Sequence, residues 1–222
     1  MNLRTFYRQY GLELIPVALE SLTFGKCVWD GGWFDTPSFT RDGMPNYIYN
    51  AFAAQGIITL EESDAILDRF RKLPQENASF ANINIELALE DALNIKLQNH
   101  LNINANFDMK RIASFTISNS KGKEMPNRDF ILLDDMLDQI KEHHWDEYKR
   151  GLRRAYIITE LYYGTLSLKI DTDVAADFEA SLPASHLQAA NKLQLGRTLT
   201  YAFENATVPF AMRLKRVKHF NN

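Results

Sequence analysis

Residues 83–109 spell INIELALEDALNIKLQNHLNINANFDM, and the order of apolar and polar side chains along them decides which fold the sequence predicts. The odd positions carry Ile83, Ile85, Leu87, Leu89, Leu93, Ile95, Leu97, Leu101, Ile103, Ala105, Phe107 and Met109, broken only by Asp91 and Asn99. The even positions are polar apart from Ala88 and Ala92. Successive side chains of extended backbone point to opposite faces, so this order predicts a ribbon with one greasy and one wet side. A helix would mix Ile83 and Leu87 with Glu86, Glu90 and Asn94 on one face. Strand is therefore predicted, although IELALEDAL taken alone favours helix. Fully extended, the segment would span roughly 90 Å. Globular strands seldom exceed about ten residues, so the ribbon has to turn, and Asp91 or Asn99 is the expected place.

Such a ribbon has two uses. It can line one face of a core as consecutive strands. It can also form a half-buried hairpin that lengthens into a membrane-spanning β-pair, since a transmembrane strand needs about 9–11 residues and two fit within 83–109. In lipid an open strand edge is intolerable, so many copies would have to close into a barrel. Periodicity is the same for both.

The rest of the composition is that of an ordinary globular chain. Of 222 residues, 45% are hydrophobic and 24% charged, enough for a substantial core. A net charge of −3 gives no overall electrostatic case for nucleic acid or acidic membranes, so any such binding must come from local patches. The one cysteine, Cys27, excludes an internal disulfide and a thiolate metal cluster and fits a reducing compartment. The opening MNLRTFYRQYGLELIPV lacks the long apolar stretch of a secretory signal, and no run of 18 apolar residues encodes a transmembrane helix. A cytoplasmic protein is expected, and the sequons at Asn77 and Asn205 are read as chance.

Outward from the ribbon, residues 3–10 predict a short amphipathic helix ended by Gly11, and LELIPVAL a strand. Residues 25–46, rich in Gly, Pro and Asp, predict turns and short strands. TLEESDAILDRFRKL at 59–73 predicts a helix with a Thr59/Glu62 capping box, stopped by Pro74. A second helix is predicted over 129–149, on the stripe Phe130, Leu133, Met136, Leu137, Ile140 and His144. From 154 to 182 the period returns to two, with Leu166, Leu168, Ile170, Val174 and Phe178 on one side. Half-buried strands are likewise expected with Leu193, Leu195, Leu199, Tyr201 and Phe203 together, and with Val208, Phe210, Met212 and Leu214 together. The expected fold is one α+β domain over 1–222, with a twisted, mostly antiparallel sheet, long amphipathic hairpins and two to three packed helices.

In that order of segments the chain resembles the pore-forming N-terminal domain of gasdermins, their short bacterial relatives above all. The similarity runs through YGLELIPV, the ribbon 83–109 with its return RIASFTISNSKGKEM at 111–125, the acidic helix, RAYIITELYYGTLSLKID at 154–171, and YAFENATVPFAMRLKRV at 201–217. The resemblance implies that hairpins 83–120 and 155–182 extend and insert into membranes as self-oligomers, without catalysis, cofactor or metal. The implied inserting residues are Ile83, Ile85, Leu87, Leu93, Ile95, Leu97, Leu101 and Ile103, with Leu166, Leu168 and Ile170 from the second hairpin. Acidic lipid would meet two basic clusters, Lys149, Arg150, Arg153, Arg154 and Arg213, Lys215, Arg216, Lys218, each worth about 1 kcal/mol per residue near an acidic leaflet. The bland use of these clusters is solvated surface, with Arg213 and Lys215 as the outward face of a strand. Family members continue past the last strand into an autoinhibitory segment, whereas this sequence reads KHFNN there, so a separate inhibitory or activating partner protein is an expectation. The rival expectation is a non-lytic protein-interaction domain of the same fold. Nucleic acid is not expected as a partner.

Catalytic signatures such as a P-loop, G-x-S-x-G or H-E-x-x-H are absent from the sequence. His143 and His144 point about 100° apart on a helix and cannot chelate one ion together, so His143 with Glu147 is read as an exposed pair. Asp171–Asp173 fits a turn better than a cation site, and Asp134, Asp135 and Asp138 make an acidic helix edge. Trp29, Trp33, Phe34 and Phe39, flanked by Asp30 and Asp35, suit core and turn packing ahead of a stacking platform. An enzyme site near Asp30, Asp35 and His186 is the third expectation, and Cys27 is read as a buried thiol.

Overall fold

This computed structural model describes residues 3–15, 22–29, 39, 41–77, 83–85, 91–205 and 208–220. In chain order the helices are α1 (Leu3–Tyr10), α2 (Ile48–Ala54), α3 (Leu60–Arg71), α4 (Asp91–Leu101), α5 (Asn127–His143), α6 (Trp145–Arg150), α7 (Ala175–Ser181) and α8 (Ala184–Ala189). The strands are β1 (Glu13–Leu14), β2 (Cys27–Trp29), β3 (Glu76–Asn77), β4 (Ile83–Ile85), β5 (Ile112–Glu124), β6 (Ala155–Asp171), β7 (Asn191–Leu195), β8 (Thr198–Asn205) and β9 (Ala211–Arg216). Every described strand register is antiparallel, so the α+β class with an antiparallel sheet is what the sequence predicts. The chain divides into two compact units, each assembled from separated segments.

The first unit comprises Met1–Glu20, Gln75–Gly122 and Tyr162–Met212. The described strands follow the open order β1-β9-β6-β5-β3, with β2 also on β6, β4 on β5 and the β7–β8 hairpin attached through β8 to β6. The β6–β8 register runs from Gly164↔Asn205 to Asp171↔Thr198. Gly164 is required here: a Cβ would lie 2.9 Å from the Ser118 carbonyl oxygen. Leu166, Leu168, Ile170, Phe178, Tyr201 and Phe115 fill the core. Phe178 meets Phe107 and Tyr201 edge-on at centroid distances of 5.3 and 4.9 Å. Burying one such phenyl ring stabilises by roughly 1.5–3 kcal/mol.

The decisive segment departs from the strand expectation. Ile83–Ile85 is extended and pairs with β5, residues 86–90 lie outside the described residues, and Asp91–Leu101 is α-helix. Leu93, Ile95, Leu97 and Leu101 are therefore helical and not members of a ribbon, and Met109–Arg111 is a 3-10 turn. The physical reason is that an every-second-residue pattern contains an every-fourth one: Leu93, Leu97 and Leu101 also fall along one helix stripe. Leu97 and Leu101 are buried, Asn94 and His100 are buried beside them, and Ile95 is exposed. The helix stops as a Schellman motif, with Asn102 at φ +52, its N–H donating to Asn99 O at 3.2 Å and the Ile103 N–H donating to Gln98 O at 2.9 Å.

Two further departures share the same logic. Residues 175–181, AADFEAS, are α7 and not strand, since Ala and Glu favour helix once the turn after Asp171 ends β6. Leu193 and Leu195 do not share a face with Leu199, Tyr201 and Phe203, because the two-residue turn Gly196–Arg197 pairs odd residues with even ones, Leu195 with Thr198 and Leu193 with Thr200. Gly196 supplies the positive φ, +61, that this turn needs at its first position. Both leucines are consequently exposed.

The second unit comprises Ser21–Pro74, Lys123–Leu161 and Arg213–Asn222. β2 pairs with the start of β6, Cys27 opposite Ile157. Helix α3 carries the expected capping box: the Glu62 N–H donates to Thr59 Oγ1 at 3.1 Å, and the Thr59 N–H donates to Glu62 Oε2 at 2.7 Å. Phe70 from α3 packs edge-on against Phe24 at 5.4 Å, and Arg69 pairs with the buried Asp129 of α5. The predicted 129–149 helix is split at His144, which leaves helical geometry at φ −134, giving α5 and the short α6.

Candidate functional site

The charged residues of the second unit converge on one place. Lys149, Arg153, Arg154, Arg216 and Lys218, with Asp146, line a half-open cavity of about 660 Å³, a size usual for ligand sites. Among the described lining residues, five cationic side chains thus face one carboxylate.

Local structure explains the placement. Asp146 and Lys149 come from α6, which is pinned by Tyr148, buried and stacked on Trp145 at 5.7 Å. Gly151 then redirects the chain into a 3-10 turn over Leu152–Arg154, in which buried Leu152 is the anchor and Arg153 and Arg154 stay exposed. On the other wall β9 ends at Arg216, and a second 3-10 turn, Val217–His219, buries Val217 and leaves Lys218 at the cavity. Each wall therefore alternates a greasy anchor with cations, and burial of the anchors holds like charges together.

Arg216 packs against an aromatic ring of the site. Its guanidinium lies over the Tyr156 ring at 5.5 Å, and its buried Nε has no hydrogen-bond partner among the described residues. A buried N–H without an acceptor is uncommon and costly. Lys149, Arg153, Arg154 and Lys218 make no ion pair among the described residues.

Of the two basic clusters named from sequence, five residues meet in the cavity. Arg213 instead donates to Glu160 at 2.8 Å. The Lys215 ammonium sits over the stacked rings of Phe130 and Phe220, at 4.4 and 4.5 Å. Arg150 ends α6, and its side chain lies outside the described residues. Asp146, Tyr156 and Trp145 were not singled out as site residues. The two basic clusters were the sequence signal for this site, and the helix break at Gly151 that places Arg153 and Arg154 was not foreseen.

The implied inserting residues are distributed differently. Ile83 and Ile85 lie on β4, Leu93, Ile95, Leu97 and Leu101 on α4, and Ile103 just after it, buried. Leu166, Leu168 and Ile170 lie on β6 in the core of the first unit, and Leu87 is outside the described residues.

The remaining described candidates are not among the residues lining the cavity. His143 Nε2 lies 3.9 Å from Glu142 Oε2, while the Glu147 side chain is outside the described residues. Asp138 pairs with Lys141, and burial raises the Asp134 pKa against the opposing pull of Lys215. Trp29 is buried with Arg41 over its ring, whereas Trp33, Phe34, Asp30 and Asp35 are outside the described residues. His186 Nδ1 is 2.8 Å from Leu101 O in the first unit. Burial pushes the Cys27 thiol up to about 12. Among the described residues no group of His, Cys, Asp and Glu is arranged to hold a metal ion, and no helix is long and apolar enough to cross a membrane.

No family model, curated protein or solved structure matches this chain.

Proposed function

We propose that this protein docks on the phosphate headgroups of acidic membranes through the cationic cavity, and that docking precedes a gasdermin-like permeabilisation by oligomers. The observation that carries this is the convergence of Lys149, Arg153, Arg154, Arg216 and Lys218 on one cavity. At about 1 kcal/mol per cation near an acidic leaflet, these five supply several kcal/mol of attraction. No chemical step is assigned to the site.

The permeabilising step draws on strand length. β5 has 13 residues and β6 has 17, and a tilted transmembrane strand needs about 9–11. Inserting Leu166, Leu168 and Ile170 would take them out of the first unit's core, and α4 would have to unwind before its alternating residues could face lipid.

Flotation and dye release from phosphatidylcholine vesicles, with and without phosphatidylserine, test the two steps. Wild type should float with and empty the acidic vesicles alone, and Lys149→Glu/Arg153→Glu/Arg154→Glu should do neither. Unchanged flotation of the triple variant would remove the docking site. Flotation without leakage would leave docking and end the pore claim.

A second reading, a non-lytic interaction domain, is favoured by β7. All five of its residues are exposed and it pairs only with β8 among the described strands. An extended peptide of a partner protein could add to that edge.

A further inference from the structure

We propose that Trp145 is an interfacial anchor that seats its indole at the headgroup–acyl boundary of the same acidic bilayer, fixing how the cavity meets the surface. This rests on the docking proposed above. Trp145 is 51% exposed, an uncomfortable state for so large an apolar ring in water. It opens α6, the helix that contributes Asp146 and Lys149 to the cavity. A spacing of four puts Trp145 and Lys149 one helical turn apart on a shared face, so an apolar ring stands at the rim of a cationic hollow.

The ring is also held in place. Its stacking on Tyr148 has centroids 5.7 Å apart and planes 30° apart, and Tyr148 is itself buried, with the Lys141 ammonium 5.7 Å from its ring. A side chain already fixed loses little rotamer freedom when it is covered. An indole has an apolar body and one N–H donor, which suits a boundary that is greasy on one side and wet on the other. Charge selects the occupant: the cavity's cations need phosphates, and an acidic bilayer offers them in the plane just above an apolar layer. Single-stranded RNA, with bases to stack, is the competing partner.

The experiment uses the full chain, phosphatidylcholine vesicles with and without phosphatidylserine, the same vesicles with lipid brominated near the headgroup, and polyuridylate. Wild type, Trp145→Phe, Trp145→Ala and Lys149→Glu/Arg153→Glu are compared. Bromine should quench wild-type indole fluorescence, and Trp145→Phe, which keeps a ring on Tyr148, should remove the Trp145 share of that quenching while Trp29 and Trp33 still emit. Trp145→Ala should weaken acidic-vesicle binding roughly ten-fold without changing its salt dependence, whereas Lys149→Glu/Arg153→Glu should flatten the salt dependence. If wild type binds but Trp145→Ala binds equally and quenching is undiminished in Trp145→Phe, the anchor is refuted and docking stands. If wild type ignores acidic vesicles, both fall. If Trp145→Ala weakens polyuridylate binding and leaves vesicle binding unchanged, the ring is a base-stacking surface and the anchor is refuted.

Discussion

Acidification should loosen the first unit through one side chain. His100 on α4 is only 4% exposed, and burial, reinforced by the charge of His186, pushes its pKa down to about 4 from the ordinary 6.5. Leu97, Phe115, Leu166 and Phe210 adjoin it around a narrow apolar cavity. In an unfolded chain the imidazole takes up its proton as pH falls through 6.5, while in the fold it stays neutral until about 4. The contribution is therefore fully present above 6.5 and is lost progressively as pH falls toward 4. Each pH unit in that window costs about 1.4 kcal/mol, so the loss is about 2 kcal/mol by roughly pH 5 and on the order of 3 kcal/mol at the lower end. Urea unfolding, with hydrogen exchange of the α4 amides, would measure it in wild type and in His100→Gln. Between about pH 7 and pH 5 the wild type should lose about 2 kcal/mol more than the variant. Parallel pH curves for the two proteins would refute a neutral, buried His100.

Three further outcomes are expected. Gly164→Ala should destabilise by about 1–3 kcal/mol, because the new methyl would crowd the Ser118 carbonyl and Ile117, and thermal unfolding would register it. Thr59→Ala should cost about 1 kcal/mol by removing the first-turn cap of α3, read as a lower urea midpoint with unchanged m-value. Cys27, buried with its thiol pushed up to about 12, should react with a disulfide reagent at mildly alkaline pH only after denaturation, and rapid labelling of native protein would contradict its burial.

Much of the fold was legible wherever local chemistry and long-range packing agree. Thr59 and Glu62 mark the start of α3 in sequence and cap it in space. Tyr156 to Asp171 alternates and is β6. Residues 91–101 were misread because alternation satisfies a strand and a helix at once, and the core chose the helix. The punctuation was present: Asp91 suits a helix start by its charge, and Asn102 accepts the left-handed conformation that ends one. In the ribbon reading Asp91 is an irregularity and Asn102 simply one of the polar even positions. The hairpin at 196–197 was misjudged for another reason, since face assignment across a turn depends on its length and not on the parity of residue numbers. Of the cavity, the two charge clusters were visible, but that Arg216 and Lys218 stand with Lys149 is a tertiary fact. That Arg213 and Lys215 are occupied by Glu160 and by two aromatic rings is another.

The split origin of the cavity walls sets a timetable during synthesis. Asp146 through Arg154 leave the ribosome well before Arg216 and Lys218, so a growing chain carries one wall of the cavity and lacks the guanidinium that rests on Tyr156. The five cations on which the proposed docking rests are assembled together only when the last wall folds into place.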